Sequence, residues 1–249
     1  VLTAQTTPTI LSSTTQKGQL WQAKIRVSDG IDWSAWADAE VLIDNTPPVV
    51  NAITISPTEI YTNDSVLVTY EYSDVDDDEP NSPLIIWSKN GIEQPSLDGL
   101  NPLPAEYTSK GDIWTVSLKA NDGESFSEIA LQSTFTVQNS LPTISINKIP
   151  TNITFAETDL PGLEILPEYN DIDGDQIVSN IQWLRNGFRE GSLDNATFVP
   201  AEYFGAGQLW TLVISFHDND GLEQQKSWAI EVDNLPPEAI FNVPTTDLW

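Results

Sequence analysis

The chain contains no cysteine, no methionine and a single histidine, and sets only 10 lysines and arginines against 37 aspartates and glutamates. Without cysteine there are no disulfide staples, no zinc–thiolate centres and no thiol catalysis. The lone histidine, His217, lies at the end of a predicted strand and reads as a surface residue, not as a base or metal ligand. A formal net charge of −27 repels phosphate backbones, which excludes nucleic acid as a partner. No run of 18 or more apolar residues occurs, so no membrane contact is expected in this segment. No signal peptide is visible and position 1 is valine, from which we expect a processed form or a part of something longer. No Gly-x-Ser-x-Gly elbow or phosphate loop appears, and no enzymatic activity is expected.

What the chain does hold is tryptophan, nine in 249 residues, more than a disordered acidic chain carries. The tryptophans reveal a repeat. Lys17-Gly-Gln-Leu-Trp21 returns as Lys110-Gly-Asp-Ile-Trp114 and as Ala206-Gly-Gln-Leu-Trp210. Thus 93 residues separate the first pair of tryptophans and 96 the second. Ala105-Glu-Tyr107 likewise returns as Ala201-Glu-Tyr203. A fixed period of this size means tandem copies of one domain. The copies divide the chain into residues 1–44, the C-terminal half of a domain, then complete domains over 45–138 and 139–235. Residues 236–249 begin a further domain or form an exchanged strand, since Pro236-Pro-Glu-Ala-Ile-Phe241 resembles Pro47-Pro-Val-Val-Asn-Ala52. Asn45-Thr-Pro-Pro48, Asn139-Ser-Leu-Pro142 and Asn234-Leu-Pro-Pro237 punctuate the copies as short, stiff linkers.

Within 19–28, Trp21, Ala23, Ile25 and Val27 alternate with Leu20, Gln22, Lys24 and Arg26, the period of a strand with one buried face. The spacing predicts a closing strand at 39–44. In the first complete domain strands are predicted at 49–56, 65–72, 83–89, 104–108, 112–120 and 130–138. In the second they are predicted at 143–148, 162–169, 177–185, 200–204, 207–216 and 226–233. Many short strands, frequent turn residues and no helical period predict an all-β fold of tandem immunoglobulin-like, seven-stranded β-sandwiches. Trp87 and Trp183 fall at strand centres and are expected in the core, each followed by a hairpin-forming Asn-Gly, Asn90-Gly91 and Asn186-Gly187. A half domain leaves an apolar sheet face open. Residues 1–44 are therefore expected to be completed by neighbouring domains of a longer chain or by other copies through strand exchange.

Each complete domain carries an acidic loop, Asp74-Val-Asp-Asp-Asp78 in one and Asp171-Ile-Asp-Gly-Asp175 in the other. Oxygen ligands without sulfur or imidazole favour calcium, provided the chain curls, and Gly174 permits that. These are not EF-hands, because position 12 of each loop is Ile85 or Gln182 instead of glutamate. In an immunoglobulin-like topology the loops after the second and sixth strands share an end with the arriving linker. That brings Asn45 and Asp122 to the first loop, and Asn139 and Asp220 to the second. The candidate metal ligands are thus Asp74, Asp76, Asp78, Asp122 and Asn45, and Asp171, Asp173, Asp175, Asp220 and Asn139. The bland alternative is a solvated turn rich in Asp and Asn for their turn geometry.

The acidic loop, the Trp followed by Asn-Gly, and the later Trp-Thr-Val and Asn-Asp-Gly resemble the Ig-like and cadherin-like or PKD-like repeats of large microbial (archaeal or bacterial) surface proteins. The PKD signature Trp-x-Phe-Gly-Asp-Gly and the full cadherin linker Asp-x-Asn-Asp-Asn are both missing, so the resemblance is one of fold and array. It implies an extracellular, cell-surface protein, a structural segment of an S-layer, stalk or filament stiffened by calcium, with an adhesin or carbohydrate-binding module as the alternative. Asn63-Asp-Ser65, Asn152-Ile-Thr154 and Asn195-Ala-Thr197 are N-glycosylation sequons that suit such a surface. Trp33, Trp36, Tyr61 and Trp249 are the aromatics available to a partner chain or a sugar, although Trp33 and Trp36 are expected to pack at the half domain's turn.

Overall fold

The structure is a computed structural model that describes residues 9–147, 149–153 and 162–234. The expected opening strand within 236–249, and with it Trp249, lies outside the described residues, as does Thr154 of the second sequon. The chain forms two units, residues 1–138 and 139–249.

In the first unit β1 (Leu20–Ile25) and β2 (Ala37–Leu42) make an antiparallel hairpin with Trp21 opposite Val41. A sandwich follows. One sheet pairs β3 (Val49–Ser56) with β4 (Leu67–Ser73). The other runs in the order β6-β5-β7-β8, from β5 (Asn81–Lys89), β6 (Ile92–Glu93), β7 (Ile113–Asn121) and β8 (Leu131–Thr136). Val50, Val66 and Val68 on one side meet Trp87, Trp114, Val116 and Leu118 on the other in a single buried cluster. Alternation along β7 is strict, with every second residue buried, as the period of two requires.

The second unit repeats this plan. β9 (Thr143–Ile146) pairs with β12 (Pro167–Asn170), and β11 (Gly162–Glu164) pairs with β15 (Phe198–Pro200). The larger sheet contains β10 (Asn152–Ile153), β17 (Gln224–Val232), β16 (Leu209–His217), β13 (Val178–Arg185) and β14 (Phe188–Arg189), in that spatial order. Its core gathers Trp183, Trp210, Leu212, Ile214 and Phe216.

Trp87 and Trp183 are fully buried, with Nε1 donating to the Leu100 and Ala196 carbonyls, both at 3.0 Å. Each indole meets the next strand's tryptophan edge-on, Trp114 at 6.1 Å and Trp210 at 6.4 Å. The Asn-Gly turns form as predicted. Asn90 and Asn186 adopt positive φ, and their side-chain oxygens accept the Ile113 and Leu209 amides.

Three predicted strand placements are corrected. The segments 104–108 and 200–204 are not strands but 3-10 turns at Ala105–Tyr107 and Ala201–Tyr203, each started by a proline in the N-cap position. The predicted strand 162–169 is two strands. It pairs first with β15 and then with β9, changing partner before Pro167, which has no N–H to give to a ladder.

Candidate metal centre

Both acidic loops curl. Gly174 takes φ of +77°, and where the first loop has no glycine Asp77 supplies the same turn at +60°. Aspartate tolerates this left-handed conformation better than most residues, which explains how the glycine-free loop closes. The curl turns the first carboxylate back on its own loop. Asp74 Oδ1 accepts the Asp76 amide at 2.7 Å, and Asp171 Oδ1 accepts the Asp173 amide at 2.8 Å.

The segment that enters each module arrives at the same end. Asp76 Oδ2 accepts the Thr46 amide at 2.7 Å, and Asp173 Oδ2 accepts the Ser140 amide at 2.6 Å. One residue earlier, Asn45 Nδ2 donates to Asp122 Oδ2 at 2.8 Å and to Ser125 Oγ at 3.0 Å. Asn139 Nδ2 donates likewise to Asp218 Oδ2 at 2.7 Å. A carboxylate can only accept, so each asparagine must turn its amide nitrogen to the aspartate and its oxygen to the other side.

On that other side, oxygens are left open. Asn45 Oδ1 and Asp74 Oδ2 in the first module, and Asn139 Oδ1 and Asp171 Oδ2 in the second, are buried atoms with no hydrogen-bond donor. Buried oxygens are normally satisfied, and the same two positions are left open in both copies. Carboxylate oxygens of Asp74, Asp76 and Asp78 lie within 4.8 Å of one another, as do those of Asp171, Asp175 and Asp218. Crowded carboxylate oxygens beside the open oxygens of Asn45, Asp74, Asn139 and Asp171 fit a hard divalent cation, calcium above all.

Asp218 is the residue that sequence reasoning left out of the ligand set in favour of Asp220. Its signal was available, since it occupies in the repeat the place of Asp122. Asp218 is buried, and its Oδ1 accepts the Asp220 amide at 2.8 Å. Asp122 Oδ1 accepts the Glu124 and Ser125 amides at 2.7 and 2.6 Å. Burial pushes the Asp122 carboxyl upward, but bonds from Asn45, from both amides and from the Ser125 hydroxyl outweigh it. The group is held well below the usual carboxylate range. Tyr72, whose hydroxyl donates to the Asp78 carbonyl at 2.9 Å, is pushed up to about 12 by burial and by the charges of Asp74, Asp122 and Asp78. His217 faces the adjacent Asp218 carbonyl, with Nδ1 at 2.7 Å.

The three sequon asparagines, Asn63, Asn152 and Asn195, are all exposed. Trp33 and Trp36 are exposed too, yet the Arg26 guanidinium lies over both rings, at 4.4 and 4.7 Å from their centroids, so they pack at the hairpin's turn as expected.

No family model matches the chain, and no curated protein matches it. Solved structures similar to it are tandem β-sandwich modules. Clostridium thermocellum CbhA fibronectin(III)-like modules are 13% identical over 77% of this chain and 100% of theirs, with a TM-score of 0.27. Drosophila N-cadherin EC1-4 is 12% identical over 86% of this chain and 58% of that one, with a TM-score of 0.30. Chicken CNTN1 FN1-FN3 domains are 10% identical over 85% and 76%, with a TM-score of 0.29. The assignment of this chain as all-β, Ig-like repeats rests on its own strand pairing and on its two tryptophan-centred cores.

Proposed function

We propose that this chain is a non-enzymatic structural segment of an extracellular surface array, such as a stalk, S-layer or filament, whose modules bind calcium at their acidic ends. The observation that carries the reading is the matched pair of donor-less oxygens, Asn45 Oδ1 with Asp74 Oδ2 and Asn139 Oδ1 with Asp171 Oδ2. In the first module Asp74, Asp76, Asp78 and Asn45 would hold the ion, with Asp122 orienting Asn45. In the second Asp171, Asp175, Asp218 and Asn139 would do so, with Asp173 and Asp220 bracing the loops. The ion would neutralise clustered carboxylates. Because each asparagine belongs to the segment entering its module, the ion would also tie that segment to the acidic loop, which stiffens the chain there.

Partners in this reading are like modules. The hairpin β1–β2 presents the stripe that complete modules bury, and strands of a neighbouring module or of another copy would cover it. The exposed sequon asparagines suit a glycosylated surface, which mass spectrometry of native material checks. Among the described residues no helix is long and apolar enough to cross a membrane.

Calcium calorimetry, and melting with and without chelator, test the proposal. We expect two binding sites and a rise in Tm. Asn139→Ala should abolish the second site and cost about 1–3 kcal/mol by leaving Asp218 short of a donor. Absence of any heat or Tm shift in the unaltered chain would sink the cation reading.

A further inference from the structure

The acidic end of the first module holds an ammonium group as well as carboxylates. Lys17, at the turn opening β1, places Nζ 2.7 Å from Asp78 Oδ2 and 2.6 Å from Glu124 Oε1. The lysine side chain is 24% exposed, so most of it is packed rather than waving in solvent. Its backbone is fixed as well, because the next residue, Gly18, donates its amide to the Ile43 carbonyl at 2.8 Å. Ile43 leads directly to Asp44 and Asn45, the residues that enter the module. The hairpin therefore grips the module's two acidic loops with Lys17, with Asn45 and with the Thr46 amide.

An isolated surface ion pair is worth little, but here one ammonium is shared by two carboxylates and sits beside two further hydrogen bonds, so the groups act as a network. The Lys-Gly pair also recurs as Lys110-Gly111, ahead of the second module's acidic loop in the chain. Asp78, half of Lys17's grip, is at the same time one of the three carboxylates that crowd within 4.8 Å. A positive charge fixed on that carboxylate repels a divalent ion bound to its neighbours, and at such separations the repulsion is appreciable even at the dielectric constant of water.

We infer that Lys17 is an intramolecular counter-ion, which clamps the hairpin to the first module without any metal and weakens divalent-cation binding at Asp74, Asp76 and Asp78. The clamp stands on the ion pairs alone. The antagonism rests on the calcium reading above.

The absence of cysteine makes the clamp measurable. Lys24→Cys on the hairpin and Thr54→Cys on the module, both exposed positions, give a uniquely labelled pair for pulsed electron–electron resonance in the full chain. With chelator present, the Lys17 chain should give a narrow distance distribution. Lys17→Met should broaden it at least twofold, and Lys17→Arg should keep it narrow. An unchanged width in Lys17→Met overturns the clamp.

The antagonism is read by calcium calorimetry on the chain carrying Asp171→Asn and Asp175→Asn, which removes the second module's signal. Adding Lys17→Met should tighten calcium binding about tenfold, and Lys17→Arg should leave it unchanged. Equal or weaker affinity in Lys17→Met overturns the antagonism. Absence of binding in both chains overturns the calcium reading of the first module and the antagonism together, while the resonance distances still judge the clamp.

Discussion

The hairpin β1–β2 and the hairpins β7–β8 and β16–β17 are the same object in two environments. In all three the tryptophan faces a residue on the closing strand, Val41, Phe135 or Ile230. In all three the glycine before β1, β7 or β16 donates its amide across to the closing segment, to the carbonyl of Ile43, Val137 or Val232, at 2.8, 2.9 and 2.8 Å. Burial differs: Trp21 is half-buried, where Trp114 and Trp210 are fully buried. Ile25 is 66% exposed, while Leu118 and Ile214 at the same place in the repeat are 0% exposed. Register and turns are thus set locally, by residues within the hairpin. Burial is conferred by the opposite sheet, through Val50, Val66 and Val68 in the first module, which the hairpin lacks among the described residues.

The largest effect that sharpens this contrast is loss of the repeated tryptophan. Trp114 is fully buried and meets Trp87 edge-on, so Trp114→Ala should destabilise the first module by about 3–5 kcal/mol. Trp21→Ala, with the equivalent strand pairing but a half-buried ring, should cost less, about 1 kcal/mol. Denaturant titrations followed by far-ultraviolet circular dichroism check both. Equal costs would break the comparison, because they would mean that the hairpin's face is covered in solution.

The same contrast explains what was legible in the sequence. The repeat, the alternation in β7 and β16, the core tryptophans and the Asn-Gly turns are local signals, and each appears where its residues stand. The 3-10 turns at 105–107 and 201–203 are not legible because Ala-Glu-Tyr carries no periodicity and a proline suits the start of a turn and an extended edge alike. The split of 162–169 was missed because one strand changing sheets looks, in one dimension, like one long strand. The acidic loops were readable as carboxylates at every second position. Which carboxylates converge was not, since that depends on loops far apart in the chain. Asp218 joins Asp171 and Asp175 only through the topology that brings the β16–β17 loop beside the 171–175 loop. Lys17 was read only as part of the repeat, because a single lysine in an acidic chain gives no sign of its partner.

An intermediate effect is expected in acid, where Asp29 of the hairpin is the counterpart of Asp122. Asp29 Oδ1 accepts the Ile31 and Asp32 amides at 2.8 and 2.9 Å, as Asp122 accepts those of Glu124 and Ser125. Both carboxyls lie below their ordinary value, Asp29 through its backbone bonds from Asp32 and Ile31. Asp122 is held down by Asn45 and the neighbouring amides against the pull of burial. A carboxyl depressed by folding contributes stability above its unfolded value, about 3.9, and loses it as pH falls toward the folded value. The first module should therefore keep its full stability down to about pH 4 and lose it progressively below. Asp122→Asn should flatten that slope, whereas Asp29→Asn should leave the module's acid transition where it was. Carbon-detected NMR of the two carboxyls should find Asp122 protonating at the lower pH. The reverse order would show that Asn45 does not hold Asp122 in solution.

The smallest effect lies at the hairpin's turn, where the two environments solve one problem with different chemistry. In the first module Lys119 caps the turn by donating to the Glu128 carbonyl at 3.0 Å. In the hairpin the residue at that place in the repeat is Arg26, and its guanidinium lies over the rings of Trp33 and Trp36. With no opposite sheet among the described residues, the hairpin gains from cation–π contact what the module obtains from a charge-assisted hydrogen bond, and an arginine's flat face suits two rings better than an ammonium does. Arg26→Gln should cost about 0.5–1 kcal/mol in hairpin stability and change the environment of both indoles. Arg26→Lys should retain only part of the contact. Tryptophan near-ultraviolet circular dichroism reads the change directly. An Arg26→Gln spectrum identical to that of the unaltered chain would mean that the two rings are held by the turn itself and not by the cation over them.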